Sequence, residues 1–304
     1  MSDFRTDLPR CLYTAEQVRI IERCAIEQYH TSGLALMERA GASCFQLIKR
    51  HWPEAKSICV MCGSGNNAGD GYVIALLAHQ AGMAVEIIQL GNVARLKGDA
   101  ATTAAKVLQA DIAVREIGSG EQLLQQKTTL ENSDVIVDAL LGTGLKGSVR
   151  PLFDQAIELV NQISCNVLAV DIPSGLCADS GAEMGRAIRA QVTNTLIGVK
   201  RGLLTGQGPA RTGRVMFDDL GVEQEAYLSV NQSVKQSLKQ AVIQDGAGVV
   251  ERIDWPSLGG LLKAREKDSH KGTFGHVLVV GGNYGMAGAV AMAGEAALRV
   301  GAGM

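Results

Sequence analysis

Aromatic residues are scarce in this 304-residue chain, at 4%, and neither sign of charge is in excess: 29 Lys and Arg face 31 Asp and Glu, a formal net charge of −2. Without a basic surplus there is no electrostatic footprint for nucleic acid as the main partner. Long apolar runs are also missing. The longest, VIALLA at 73–78 and VLVV at 277–280, fall far short of the roughly 20 residues that cross a bilayer. The opening MSDFRTDLPR lacks the apolar core of a secretory signal and carries Asp3 and Asp7, unlike a transit peptide. These absences predict a soluble, cytoplasmic protein with no nucleic-acid or membrane partner. Nor is there a disulfide framework. The seven cysteines, at 11, 24, 44, 59, 62, 165 and 177, are odd in number and irregular in spacing. Cys59 and Cys62 form a C-x-x-C, but inside the apolar strand SICVMCG, where residues i and i+3 face opposite sides. No second C-x-x-C completes a zinc site, and the five histidines contain no H-x-x-x-H.

What is present is a chain of 46% hydrophobic residues and 36 Gly, enough to bury a substantial core. At about 100–200 residues per domain, the length fits one large domain or two smaller ones. Thr14 and Gln17 make a capping box before Val18, Ile21, Ala25 and Ile26 at helical spacing. A second helix is predicted from about Leu34 to Lys49. Strands then alternate with helices: strand 57–63, Gly/Asn loop, helix 71–82, strand 84–90, helix 98–110, strand 134–140, Gly-rich loop, helix 151–163 with Pro at its start, and strand 165–172. Two later strands are expected at 193–199 and 213–220. Near-continuous apolar strands alternating with helices imply a doubly wound, Rossmann-like α/β fold, with a mostly parallel sheet covered on both faces. After Gly221 the composition shifts to a Gln-rich stretch, read as linker, and 270–304 reads as strand, Gly loop and helix. One strand and one helix do not bury both sides of a sheet, so either a second domain is cut short in this chain or this tail packs on something else.

In a doubly wound sheet, ligands bind beyond the carboxyl ends of the strands. Three loops lie at such ends. GSGNNAGDG (63–71) begins like a dinucleotide fingerprint, with Ala68 in the third Gly place. The acidic residue expected at the end of the next strand is absent, since that strand ends in Gln89 and Leu90. Asn66, Asn67 and Asp70 crowd this loop and suggest ligand contacts, and the N–H groups of the following helix favour an anion such as a pyrophosphate. DALLGTGLKGSVRP (138–151) has three Gly that let backbone approach a ligand. Its Asp138 lies in an apolar strand and needs a partner. AVDIPSGL (169–176) brings Asp171 and Ser174 to the end of a buried strand. Asn67, Asp138 and Ser174 together offer amide, carboxylate and hydroxyl oxygens. That set suits a hard cation, and its single formal charge suits a monovalent ion more than magnesium.

These three loops, in this order and spacing, resemble the NAD(P)H-hydrate epimerase family, the YjeF N-terminal domain. TNTLIGVKRGLLTGQGPARTGRVMFDDLGV (193–222) resembles its closing strands, and the likeness covers roughly residues 10–222. Ala68 stands where the family usually has Gly. The tail HKGTFGHVLVVGGNYGMAGA (270–289) resembles the opening of the ADP-dependent NAD(P)H-hydrate dehydratase, a ribokinase-like domain that follows the epimerase in bacterial bifunctional proteins. The resemblance implies an epimerase domain over 1–222, a linker and start of a second domain over 223–269, and a truncated dehydratase part over 270–304.

It implies metabolite repair: interconversion of the R and S forms of hydrated NADH and NADPH, coupled in full-length relatives to dehydration of the S form. Asn66, Asn67, Ala68, Gly69, Asp70, Gly142, Thr143, Gly144, Leu145, Lys146, Gly147, Ser148 and Asp171 are implied to contact the small-molecule substrate. Potassium is implied at Asn67, Asp138 and Ser174, and ADP or ATP with Mg2+ at a complete dehydratase domain. This chain alone is expected to lack dehydratase activity, and the expected assembly is a homo-oligomer. Asp171 is the candidate acid and base, with Lys200 steadying the site electrostatically. Water loss and re-addition, or ring opening, both remain open as the path. The rival readings are an NAD-dependent oxidoreductase and a non-catalytic nucleotide- or RNA-related binding module on the same fold.

Overall fold

The computed structural model describes residues 8–228, 250–253, 258–259, 268–285 and 287–302. The chain divides into two compact units, Met1–Arg252 and Ile253–Met304. In the first unit, β1 (Cys11–Leu12) leads into α1 (Ala15–Tyr29) and α2 (Gly33–His51). Then come β2 (Ser57–Cys62), α3 (Asn66–Gln80), β3 (Ala84–Leu90), α4 (Gly98–Gln109), β4 (Val114–Ile117), and the short helices α5 (Gly120–Leu124) and α6 (Lys127–Glu131). They are followed by β5 (Val135–Ala139), α7 (Pro151–Gln162), β6 (Asn166–Val170), β7 (Val192–Leu196), α8 (Gly208–Arg211), β8 (Arg214–Asp218) and β9 (Val250–Glu251). The seven-stranded sheet has the order β4-β3-β2-β5-β6-β7-β8, and its pairings are parallel. β1 pairs antiparallel with β9 in a separate two-stranded sheet. The order reverses between β2 and β5, which is where a doubly wound sheet opens a crevice.

The helix ends follow from local chemistry. Thr14 Oγ1 accepts from Gln17 N at 3.2 Å while Thr14 N donates to Gln17 Oε1 at 2.8 Å, the capping box read from the sequence. Ser32 Oγ accepts from Ala35 N at 3.1 Å to start α2, and Lys49, Arg50 and His51 fill its last turn, favourable at the negative end of the helix dipole. Both faces of the sheet are buried. Cys62, Val60, Val137 and Val170 pack in one core with Ile74 of α3 and Leu47 of α2. Cys59, Met61, Ile136 and Ala169 pack in another with Phe153, Ile157 and Val160 of α7. Cys59 and Cys62 therefore lie on opposite faces. Burial pushes both thiols well above their ordinary range, which suits apolar packing rather than thiolate chemistry.

Several expectations need correction. The stretch 63–71 is a loop only as far as Gly65; α3 begins at Asn66, five residues before the expected start at Gly71. The reason is close packing: a Cβ on Gly69 would come within 2.5 Å of Met37 Sδ, and one on Gly71 within 2.7 Å of Ala139 Cβ. Tertiary contact thus outweighs the turn propensity of Asn and Gly. β4, α5 and α6 fill a region given no element from sequence, because β4 is a four-residue edge strand with one fully buried position. β7 ends at Leu196 rather than at residue 199, since Ile197 takes φ 63.

The second unit differs further. Among its described residues are a 3-10 turn (Lys271–Phe274) and α9 (Ala287–Arg299). The strand expected at 277–280 is not formed, and Val277, Leu278 and Val280 are exposed. A strand needs a neighbour to pair its N–H and C=O groups, and no described residue pairs with this one. Most of the Gln-rich linker lies outside the described residues. No described helix is long and apolar enough to cross a membrane.

Candidate active site

A cleft of about 460 Å3 lies beyond the carboxyl ends of β2, β5, β6, β7 and β8. Each strand end delivers part of it. After β2, Gly63 donates N–H to Ala139 O at 3.2 Å, and a Cβ there would sit 1.9 Å from Leu140 O. Only glycine lets these two strand ends approach so closely. Gln89, fully buried, donates from Nε2 to Gly63 O at 2.8 Å and accepts from Tyr72 Oη at 2.8 Å. Its amide therefore holds the β2 loop and does not line the cleft. Gly65 then starts α3 with no side-chain cap, so the first N–H groups of α3 remain available for an anion.

Asn66, Asn67 and Asp70 of α3 line the cleft. Asn67 is 8% exposed, and its Nδ2 has no hydrogen-bond partner among the described residues. It adjoins the β5 loop: a Cβ on Gly142 would lie 3.3 Å from Asn67 Cβ. Gly142, Thr143 and Gly144 line the cleft from that loop. Of the other residues the resemblance assigned to substrate, Ala68 is fully buried and Gly69 packs on Met37. Leu145, Lys146, Gly147 and Ser148 continue the β5 loop outside the lining, the last three exposed.

Asp138 and Ser174 meet just outside the lining. Ser174 donates from Oγ to Asp138 Oδ1 at 2.5 Å and from N to Oδ2 at 2.8 Å, and Leu140 N donates to Oδ1 at 3.3 Å. Leu141 N donates to Ser174 Oγ at 2.8 Å. Burial pushes the Asp138 carboxyl up to about 6, against these hydrogen bonds. A carboxylate at 1% exposure with donors but, among the described residues, no cation paired with it, and with the Ser174 hydroxyl and the Leu141 carbonyl beside it, has the chemistry to hold a monovalent hard cation.

Asp171 is the first residue past β6. It adopts φ 67, a left-handed conformation that Asp tolerates better than most residues. Its Oδ1 accepts from Leu196 N at 3.0 Å and is ion-paired with Lys200 Nζ. Lys200 is fully buried, which excludes a solvated lysine, and Nζ also donates to Leu196 O at 2.7 Å and Thr195 Oγ1 at 3.4 Å. The turn between them contains Ile197 at φ 63, unfavourable for a β-branched residue by about 1–3 kcal/mol. Ile197 N donates to Asp218 O at 2.8 Å, and Tyr227 Oη donates to Ile197 O at 2.7 Å, holding it there.

Sequence reasoning assigned no part of the site to α1, α2 or α4. Val18, Arg19, Glu22 and Ile26 line the cleft along one stripe of α1, Leu36, Met37 and Ala40 come from α2, and Asp99 comes from α4. Arg19 is paired with Glu16 at 2.7 Å and donates from Nη2 to Thr143 O at 3.3 Å, so α1 reaches the β5 loop. A signal was available: Glu22 falls within the apolar stripe Val18, Ile21, Ala25, where a solvated carboxylate is out of place. Burial and the Asp171 charge raise the Glu22 carboxyl above its usual range, while Lys200 and Arg19 pull it down. Burial, then the charges of Asp171 and Glu22, raise Asp70 well above its usual range. Among the described residues no group of three or more His, Cys, Asp or Glu is placed to hold a metal ion; the cleft carboxyls surround a space rather than converge on a point.

Residues 33–202 match the family described as YjeF-related protein N-terminus. The bifunctional NAD(P)H-hydrate repair enzyme Nnr of Coxiella burnetii is 42% identical over 293 residues, covering 96% of this chain and 55% of that protein. The enzyme of the same name from Escherichia coli K12 is 38% identical over 297 residues, covering 98% and 53%. The chain thus spans about half the length of these curated relatives. The crystal structure of a yeast protein aligns with a TM-score of 0.58 at 22% identity, over 68% of this chain and 86% of that one, a likeness of fold alone.

Proposed function

This chain belongs to the family of YjeF-related protein N-termini, and from that premise we propose that it is a metabolite-repair isomerase interconverting the R and S forms of hydrated NADH and NADPH. What carries the proposal is the meeting of four unlike features in one cleft: free N–H groups at the start of α3, the Gly142–Gly144 backbone, the amides of Asn66 and Asn67, and the Asp171–Lys200 pair. The first two suit a pyrophosphate. The last places a carboxylate with one free oxygen where a sugar- or ring-bound hydroxyl is able to meet it.

Of the two paths open to a carbon bonded to both hydroxyl and ring nitrogen, the one proposed here has the hydroxyl leave as water and water return. The nitrogen lone pair supports the carbon while it is bare. Asp171 exchanges the proton with the hydroxyl or the water, and Lys200 holds its carboxylate in place. Potassium held by Asn67, Asp138 and Ser174 would tie α3 to the β5 and β6 ends and neutralise Asp138. The small-molecule substrate, a cytoplasmic setting and a homo-oligomeric assembly are part of the same proposal. ADP or ATP with Mg2+ belongs to the dehydratase chemistry of the longer relatives, to which residues 270–304 bear their resemblance.

The test is a coupled assay. Pure R-hydrate of NADH is supplied with excess S-specific dehydratase and ATP, with and without this chain. Recovery of NADH absorbance faster than the spontaneous rate is expected. A folded chain that gives no acceleration overturns the epimerase and favours a binding module.

A further inference from the structure

Four carboxyls line the cleft, Glu22, Asp70, Asp99 and Asp171, against two cations, Arg19 and Lys200. The cations are already engaged. Lys200 is bound to Asp171, and Arg19 to Glu16 and Thr143 O. Asp171 therefore has a committed partner and a fixed oxygen. Glu22 has neither: among the described residues nothing donates a hydrogen bond to its carboxyl and no cation pairs with it directly. The same cleft contains the unpartnered Nδ2 of Asn67, more than nine-tenths buried. A buried amide donor with nothing to donate to marks the space as one that a polar ligand fills.

An epimerase that removes and returns water must handle a proton on both faces of the ring carbon. Asp171 is pinned through Oδ1 to the β7 turn, so it serves one face. We propose that Glu22 of α1 is the second proton-transfer group of the epimerisation, serving the face that Asp171 does not reach. This rests on the epimerase reading above. In one direction the protonated Glu22 carboxyl gives its proton to the ring hydroxyl. The C–O bond breaks, water departs, and the nitrogen lone pair forms the C=N bond of an iminium. Water then adds to the other face, its oxygen pair forming the new C–O bond while the C=N pair returns to nitrogen, and Asp171 takes the released proton. One water is lost and one gained, and nothing is oxidised or reduced. The reverse direction uses the two groups in opposite senses, and solvent returns the proton from Asp171 to Glu22 between turnovers.

The surroundings suit this division. Burial and the Asp171 charge favour the neutral form of Glu22. The groups that face it are Arg19 on its own helix, Asp70 on α3, Asp99 on α4, Asp171 after β6 and Lys200 after β7. Burial and the charge of Asp171 likewise raise Asp70, while the ammonium of Lys200 opposes the rise of both groups.

The test is the coupled assay on Glu22→Gln, Glu22→Asp and the control Glu27→Gln, which changes an exposed residue of α1 outside the cleft. Glu22→Gln should lower kcat on the order of 100-fold, with KM within about threefold, and should abolish the alkaline limb of the kcat/KM profile. Glu22→Asp should recover part of kcat and retain that limb. Glu22→Gln with near-normal kcat and an unchanged profile overturns the proposal. So does loss of the alkaline limb in Asp70→Asn alone, which gives the role to Asp70. Failure of the unsubstituted chain to epimerise at all overturns the function instead, so the two failures are told apart.

Discussion

The two sides of the cleft are built on opposite plans. On the strand side, Asp171 Oδ1 and Lys200 Nζ are committed: Oδ1 accepts from Leu196 N and pairs with Nζ, the lysine is fully buried, and the turn that joins them contains the unfavourable φ of Ile197. On the helix side, Glu22 and Asp70 are raised carboxyls without ion-pair partners among the described residues, and Asn67 has a donor with nothing to bond among them. The committed side gains fixed geometry. The unsaturated side keeps hydrogen-bonding capacity for something that enters. A cleft with both suits the proton exchange proposed for it.

The sharpest way to break this contrast is Lys200→Met. It leaves Asp171 part-buried without its cation, and removing one partner of a buried pair destabilises by about 3–5 kcal/mol. Thermal or urea unfolding should show that loss, with epimerisation lost as well. Glu22→Gln, on the unsaturated side, should leave stability within about 0.5 kcal/mol of the parent; equal destabilisation by the two would erase the contrast.

Asp171→Asn comes next. Asn tolerates the left-handed backbone, so the fold should remain while kcat falls on the order of 100-fold, about 2.7 kcal/mol in barrier. An Asp171→Asn chain with normal turnover would move the acid–base work wholly to the helix side.

Potassium sharpens the comparison at the strand ends. Binding to the folded state raises stability by about 2.7 kcal/mol at a hundredfold excess over Kd. The melting temperature should therefore rise in potassium relative to choline at equal ionic strength. Asp138→Asn should remove that difference, and its persistence would place the ion elsewhere.

The smallest effect lies far from the cleft. Asp134 accepts from Lys56 N at 2.8 Å, Ser57 N at 2.9 Å and Ser57 Oγ at 2.9 Å, and these bonds hold its carboxyl below the usual range. A depressed folded value gives stability that is present above the unfolded value of about 3.9 and is lost as pH falls through the folded one. Asp134→Asn should cost about 1 kcal/mol near neutral pH and flatten stability below about pH 4.

Much of the fold was legible because its signals are local. The capping box at Thr14, the apolar runs of β2, β3, β5 and β6, and Pro151 at the start of α7 need no distant partner to be read. β4 was missed because an edge strand with exposed positions has no alternation to detect. The true start of α3 was missed because its Gly residues signal a turn locally and a close helix contact only in three dimensions. The VLVV segment shows the reverse case: strong local strand character with no described strand beside it.

The sequence by itself determined the alternating α/β architecture, the three strand-end loops, and the residue types gathered there, because strand ends and glycine turns are written in short windows. Only the tertiary structure decided that α1 covers the cleft and brings Glu22 to it. An apolar stripe on a helix reads the same whether it packs on a core or lines a cavity. It also decided which carboxyls are raised. Such a shift follows from burial and from which charges stand nearby, and for Glu22 and Asp70 those charges come from segments up to 178 residues apart in the chain, from 22 to 200.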